Sequence, residues 1–442
     1  MFARAVLAFA FTTAAACAEP IPASDPAIAR AVAEISAARL RDTDEHLVAF
    51  GTRSTFSDTA PPGRGVFAAR DWIADRFGAI AATTNGRMTV ALDEYTQPAD
   101  AKRITRDVKI SSVIATLRGD EAGGRTYVMS SHYDSRNSDN ADGTRDAPGA
   151  DDNGSGTSAV LEAARVLAAS HLHATLVFAV YDAEEQGLFG SAHHAKGLRA
   201  AGVDVQGDLN NDIVGASVGP AGEKNADRIR IFSEALPAGA DPVRVNLLGN
   251  ENDSPSRELA RFAAEIGSRY VSGFTGEMIF RADRFLRGGD HESFNAAGFP
   301  AIRFTEPVET FAHQHQDVRV SAGVQYGDLQ RFMDFDYLAH VTQYNVAVLA
   351  SLALGPGRPS KAWISVHDLT NDTTLGWTPV AGAARYTIVR RLTTDAAWTT
   401  ATDVGNGTTV TLPFSKDDWL FGIRAVDAAG FAGVVAFPVP QK

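Results

Sequence analysis

From Thr126 to Glu306 the chain alternates short, fully apolar runs with amphipathic segments of helical period. TYVMSS (126–131) stops at His132-Tyr133-Asp134, and ATLVFAVYD (174–182) stops at Ala183-Glu184-Glu185. A shorter run from Asp208 to Val214 carries Asp212, and FPAIRFTE (299–306) leads into HQHQD at 313–317. Between them, a helix over 156–170 places Val160, Leu161, Ala164, Leu167 and Ala168 on one face. Runs apolar on both faces and separated by helices specify an α/β fold, a mostly parallel central sheet flanked by helices. In an open sheet of that kind ligands bind beyond the carboxyl ends of the strands. That is where this chain puts its imidazoles and carboxylates.

The flanking segments complete the layout. Asp25 caps a helix with Pro26 at its first position, and the apolar spacing carries that helix through Leu40. Asp42 starts a second helix that ends near Gly51. A third begins at Gly65, with Phe67, Trp72, Ile73 and Phe77 on one face. Strands are predicted over 88–95 and 107–119, the second alternating in part, as a half-exposed strand does. Beyond a helix at 337–354, GPGRPS (355–360) reads as a Gly/Pro linker. Residues 361–442 hold only short β-runs between turn residues, the pattern of a small all-β sandwich. Trp377, Tyr386 and FGIRAVDAAG in this tail resemble a fibronectin type III domain.

The N-terminus has the form of a secretory signal over residues 1–18. Arg4 supplies the positive region, Ala5 to Ala16 the apolar core, and Ala16-Cys17-Ala18 the cleavage site. The expectation is a secreted or periplasmic protein, with a lipid anchor on Cys17 as the alternative. No later run is long and apolar enough to span a membrane. Cys17 is the only cysteine, so no disulfide forms within the chain. The 45% hydrophobic and 21% charged residues suit a soluble globular protein of two or three domains. A formal charge of −12, from 41 basic and 53 acidic residues, opposes a nucleic-acid or anionic-membrane partner.

Five segments deliver His132, Asp152, Glu184 with Glu185, Asp212, and His313 or His315 to strand ends or the loops beyond them. Imidazoles and carboxylates without thiols suit Zn²⁺, and an excess of carboxylate also admits Mn²⁺ or Co²⁺. So many acids at close quarters require cations or protons between them. Two divalent ions sharing a carboxylate meet that requirement. Taken singly, most of these groups have plainer explanations: Asp-Asp-Asn-Gly is usually a turn, and Glu184-Glu185 a charged surface. Their ordered combination is what points to a metal centre. His171, His173, His193 and His194 are read as solvated or structural side chains. Asp139, Asp142 and Asp146 belong to a polar loop, since the spacing of a calcium loop is absent. Asp290-His291 borders the cleft without ligating.

HYDS, PGADDNGSG, DAEEQGLFGS and NNDIVG, in that order, resemble the zinc-dependent aminopeptidases of family M28. The similarity runs over most of residues 45–350 and includes RGVFAARDWIA and RGGDHESFNAAGFPAIRF. It implies the zinc-exopeptidase (phosphorylase/hydrolase-like) fold over 19–354 and two Zn²⁺ ions. It also implies His132 and Asp212 on one zinc, Glu185 and a late histidine on the other, and Asp152 bridging them. Glu184 becomes the general base, and Asp134 orients His132 from behind. Adjacent residues at a strand end point opposite ways, which separates Glu184 from Glu185. Counting back from Asp317, as the family's H-T-x-x-D pattern does, gives His313 as the last ligand, with His315 as the alternative. Ala312 stands where some members carry a tyrosine.

The resemblance implies hydrolysis of N-terminal residues from peptides. A carboxypeptidase of the same fold is one alternative, and a non-catalytic binding or adhesion ectodomain another. A base retained beside a full ligand set favours the enzyme. A single-zinc cyclase on this fold is expected to lack the paired-metal loop. The C-terminal region is expected to be a stabilising appendage, with attachment to a surface or polymer as the sharper alternative.

Overall fold

The computed structural model describes residues 25–441, apart from 101, 122, 123 and 368. The signal segment and Cys17 lie outside the described residues. The helices are α1 (Pro26–Ala33), α2 (Ala37–Ala49), α3 (Val66–Ala81), α4 (Gly156–Leu167), α5 (Phe189–Ala200), α6 (Pro242–Leu247), α7 (Pro255–Tyr270), α8 (His291–Ala296) and α9 (Phe335–Leu354). The strands of the main body are β1 (Met88–Gln97), β2 (Val108–Leu117), β3 (Thr126–His132), β4 (Thr175–Tyr181), β5 (Val205–Asn211), β6 (Arg228–Ser233), β7 (Thr275–Ile279) and β8 (Ala301–Thr305).

These eight strands form one sheet in the order β1-β2-β4-β3-β5-β8-β6-β7. The central run β4-β3-β5-β8 is parallel throughout. β2 on β4, β1 on β2 and β6 on β8 are antiparallel, whereas β7 on β6 is parallel. The sheet is therefore mixed, with most of its pairings parallel, and the part that carries the candidate ligands is wholly parallel. One large apolar cluster covers a face of the sheet with α1, α3, α4, α7 and α9. A smaller cluster around Val128, Val177, Tyr181 and Phe294 fills the other face under α5 and α8.

Three local expectations are corrected. The first helix stops at Ala33, not beyond Leu40. Ser36 takes an extended conformation, donates its N–H to Glu162 at 3.1 Å and caps α2 by accepting from Arg39. Asp42 consequently lies inside α2. β2 is buried almost throughout, because it is an inner strand between β1 and β4 with α3 and α5 packed on it. The half-exposed strand is β1, at the sheet edge. The sequence pattern also missed α6, β7, α8 and the hairpin of β9 (Arg319–Ser321) and β10 (Val324–Tyr326), each too short to show a period.

After α9 the chain continues into β11 (Trp363–Ser365), β12 (Thr373–Gly376), β13 (Arg385–Leu392), β14 (Thr400–Asp403), β15 (Thr409–Leu412), β16 (Trp419–Val426) and β17 (Val439–Gln441). Two small sheets, β15-β12-β11-β17 and β14-β13-β16, enclose Leu375, Trp377, Tyr386, Ile388, Phe421 and Ile423. The Gly/Pro segment before them is fastened down: Arg125 donates to the Gly355 carbonyl at 2.8 Å, and Arg358 N–H to Gln206 at 3.3 Å. The sheets are clamped to α7. Buried Arg391 donates to buried Asp253, Trp398 Nε1 donates to Glu258 at 2.8 Å, and Arg424 pairs with Glu265 at 2.9 Å. Removing one partner of a buried pair costs roughly 3–5 kcal/mol. Arg391→Ala should fall at the lower end of that range, since Arg261 still faces Asp253 at 3.2 Å. Urea denaturation followed by tryptophan fluorescence should show the loss of stability.

Candidate metal centre

His132 is the last residue of β3 and is buried. Its Nδ1 lies 3.1 Å from the Asp134 carbonyl and 3.4 Å from the Asp134 carboxylate. That same carboxylate accepts the backbone N–H groups of Glu184 at 3.1 Å and Glu185 at 3.2 Å. One buried acid thus orients the imidazole and fixes the turn that follows β4. The other ring nitrogen, Nε2, is left facing Asp152 at 3.3 Å, Asp212 at 3.7 Å and Glu184 at 4.0 Å.

Glu184 and Glu185 diverge for a reason other than strand alternation. β4 ends at Tyr181, and Ala183 takes a left-handed conformation (φ 62°) that starts a tight turn. Left-handed backbone is unfavourable for a residue with a Cβ, so surrounding contacts must hold it. The turn sends Glu184 toward His132 and Asp212, and Glu185 toward His315.

Asp152 lies just before α4, and its two oxygens face two histidines. Oδ1 faces His132, and Oδ2 lies 3.0 Å from His315 Nε2. His315 Nε2 is also 3.0 Å from Glu185 Oε2. Asp212 follows β5; its Oδ2 pairs at 3.0 Å with Arg303, a fully buried residue of β8, while Oδ1 faces His132.

Of the two late histidines, the structure brings His315 to the acids and turns His313 away. His313 stacks on Phe332, with ring centroids 3.7 Å apart and planes 9° from parallel. His315 takes a left-handed backbone conformation (φ 51°) on the far side of Gln314. Asp317, the residue used for counting back, does not mark the centre. It anchors the polar loop instead, accepting from Ser138 at 2.8 Å and pairing with Arg145 at 2.8 Å. Spacing relative to Asp317 therefore points to the ring that this structure keeps away from the acids.

The donors form two groups, His132 with Glu184 and Asp212, and Asp152 with Glu185 and His315. Within each group the donor atoms lie within 4.8 Å of one another. His132 Nε2, Glu185 Oε1 and Asp212 Oδ1 are buried without a hydrogen-bond partner. Buried polar atoms are rarely left so, and lone pairs converging on one space fit divalent cations. Burial pushes the Glu184 carboxyl well above the usual range, opposed by His132 and reinforced by Asp212 and Glu185. Burial also raises Glu185, with His315 opposing it.

Several residues that shape the site carried no sequence signal. Arg53 is buried and donates to the carbonyls of Leu47, Tyr133, Pro148 and Gly149 at 2.6–2.9 Å, closing both ends of the 133–149 loop. Asp328 accepts the backbone N–H groups of Asp151 at 3.0 Å and Asp152 at 2.7 Å, which sets the height of the shared carboxylate. Neither lies in a motif, because each acts on backbone rather than on a ligand.

Residues 112–335 match the sequence profile of peptidase family M28. A probable zinc metalloprotease of Leptosphaeria maculans is 45% identical over 424 residues, covering 95% of this chain and 98% of its own length. The chain belongs to family M28. A probable zinc metalloprotease of Pyricularia oryzae is 44% identical, covering 94% of this M28 chain and 85% of the relative. Among solved structures, the Legionella pneumophila LapA aminopeptidase superposes with a TM-score of 0.53 at 20% identity, covering 76% of this chain and 77% of that one. The aminopeptidase of Aneurinibacillus sp. strain AM-1 gives 0.52 at 15% identity, covering 74% and 96%. At such identities the likeness establishes the shared fold.

A third acidic group of this M28 chain, Asp283 with His291 and Glu292, is of another kind. Asp283 is matched by Arg284 at 2.9 Å and Arg303 at 3.3 Å. Burial lowers the His291 pKa to about 4, and Nε2 lies 2.9 Å from the Ala282 carbonyl. This is a buried ion-pair cluster supporting Arg303. Three of the other histidines are engaged elsewhere: His173 with Asp120, His193 with Asp93, and His194 with the Tyr181 hydroxyl.

Proposed function

We propose that this chain is a zinc-dependent exopeptidase, an aminopeptidase that binds two zinc ions. The observation that carries the reading is Asp152 standing between the two donor groups, one oxygen toward each histidine. His132 and Asp212 would hold one ion, Glu185 and His315 the other, with Asp152 common to both. Bound there, the two cations would polarise the scissile carbonyl and acidify the water between them.

The protein's own groups do the rest. Asp134 and Arg303 keep His132 and Asp212 in place from behind. Glu184, the remaining carboxylate of the first donor group, is assigned in this reading to proton transfer rather than to a metal. It takes the proton from the attacking water and delivers it to the leaving amine. No tyrosine precedes either late histidine, since Ala312 and Gln314 occupy those places.

We also assign the chain to the exported fraction on the form of residues 1–18, and the C-terminal sheets to support of α7. Purified full-length protein should contain two zinc ions per chain by elemental analysis and release N-terminal residues from unblocked peptides. One ion or none would overturn the two-zinc reading. Release of C-terminal residues instead would move the enzyme to the carboxypeptidase alternative.

A further inference from the structure

The donor groups lie on the floor of a cleft of about 560 Å³ lined also by Arg103, Arg136, Arg284 and Arg287. Four guanidinium groups around one small cavity run against the sign of a chain with formal charge −12. Two of them are neutralised within the fold. Arg284 pairs with Asp283 at 2.9 Å and Glu309 at 3.0 Å, and Arg287 with Glu309 at 3.0 Å. The other two make hydrogen bonds only to backbone carbonyls. Arg103 reaches the Glu185 carbonyl at 3.3 Å, and Arg136 the Asn137 carbonyl at 3.2 Å. Neither has a carboxylate partner among the described residues.

The acids in the lining do not answer them. Asp152, Glu184, Glu185 and Asp212 converge on the metal positions, where two divalent cations would balance their charge. The cleft is then left with two uncompensated guanidinium groups above the reacting centre. A guanidinium offers parallel N–H donors that match a carboxylate in a two-point grip. In a concave site its field adds to that of its neighbour and concentrates anions.

We propose that Arg103 and Arg136 bind a carboxylate of the substrate, so that the enzyme prefers peptides carrying a free carboxylate next to the scissile bond. The proposal rests on the peptidase reading above. The carboxylate comes from one of two sources, an Asp or Glu side chain flanking the bond or the C-terminal carboxylate of a very short peptide. A Lys or Arg side chain in the same place meets like charge and is disfavoured.

The test uses the zinc-loaded full-length protein and two sets of peptides. The first set is C-amidated and carries Glu, Gln, Leu or Lys at the first or second position. The second compares dipeptides with free and amidated C-termini. We expect kcat/KM for a carboxylate-bearing peptide to exceed that of its amide counterpart by at least tenfold in one set, which also identifies the source. Arg103→Ala and Arg136→Ala should each shrink that ratio severalfold, and Arg103→Lys should restore part of it by keeping charge without the fork. Equal rates for acid and amide in both sets would overturn the proposal while leaving the peptidase reading intact. So would variants that lower every substrate alike, the mark of a general structural or transition-state role. Calorimetric binding of the same peptides to the Glu184→Gln protein separates the two readings. Carboxylate-dependent binding lost in the arginine variants supports this assignment even if no peptide is cleaved; charge-independent binding overturns it.

Discussion

Glu184→Gln is expected to lower kcat for peptide hydrolysis by about 10²–10⁴-fold, the usual contribution of a positioned general base. The substitution keeps the size of the side chain and one carbonyl oxygen, but that oxygen cannot take a proton. Asp134 holds the backbone of Glu184 and Glu185 through its N–H groups, so the turn does not depend on the Glu184 carboxylate. Zinc content should therefore stay at the wild-type value, and KM should change little. Full activity would remove Glu184 from the mechanism. Loss of metal together with activity would make it a ligand, since it stands in the donor group of His132 and Asp212.

His315→Ala and His313→Ala form the second decisive pair. The His315 ring nitrogen is 3.0 Å from both Asp152 and Glu185, so its loss leaves one donor group with carboxylates alone. Removing a residue that merely orients a ligand costs about 10–100-fold in metal affinity or activity. Removing the ligand itself should exceed that, and elemental analysis after dialysis should give one zinc ion per chain. His313→Ala removes a ring stacked on Phe332 and should leave the metal count at two. The reverse result would return the last ligand to His313.

Much of the site was legible along the chain because strand-end chemistry is local. An apolar run that stops at His132 or at Glu184-Glu185 declares both the strand and the group it delivers. Which late histidine joins the acids was not legible in this way. His313 and His315 lie two residues apart in a loop, and loop spacing carries no fixed geometry. A left-handed turn at His315, a stacking partner for His313 and an unrelated role for Asp317 decided between them. The mixed sheet was hidden for a related reason. β2 runs antiparallel to β4 and β6 antiparallel to β8, and neither apolar content nor burial reveals strand direction.

The sequence by itself determined the α/β layering, the segments that meet at the sheet edge, and a set of candidate ligands rich in carboxylate and without thiol. These follow from periodicity and residue chemistry, which act over a few neighbouring positions. The tertiary structure alone decided how those groups are held. Arg53 closes the loop after β3, Asp328 fixes Asp152 by its backbone, Arg303 steadies Asp212, and Arg391 ties the C-terminal sheets to α7. Each joins segments remote in sequence, through hydrogen bonds and charge pairs that exist only once the intervening chain has folded.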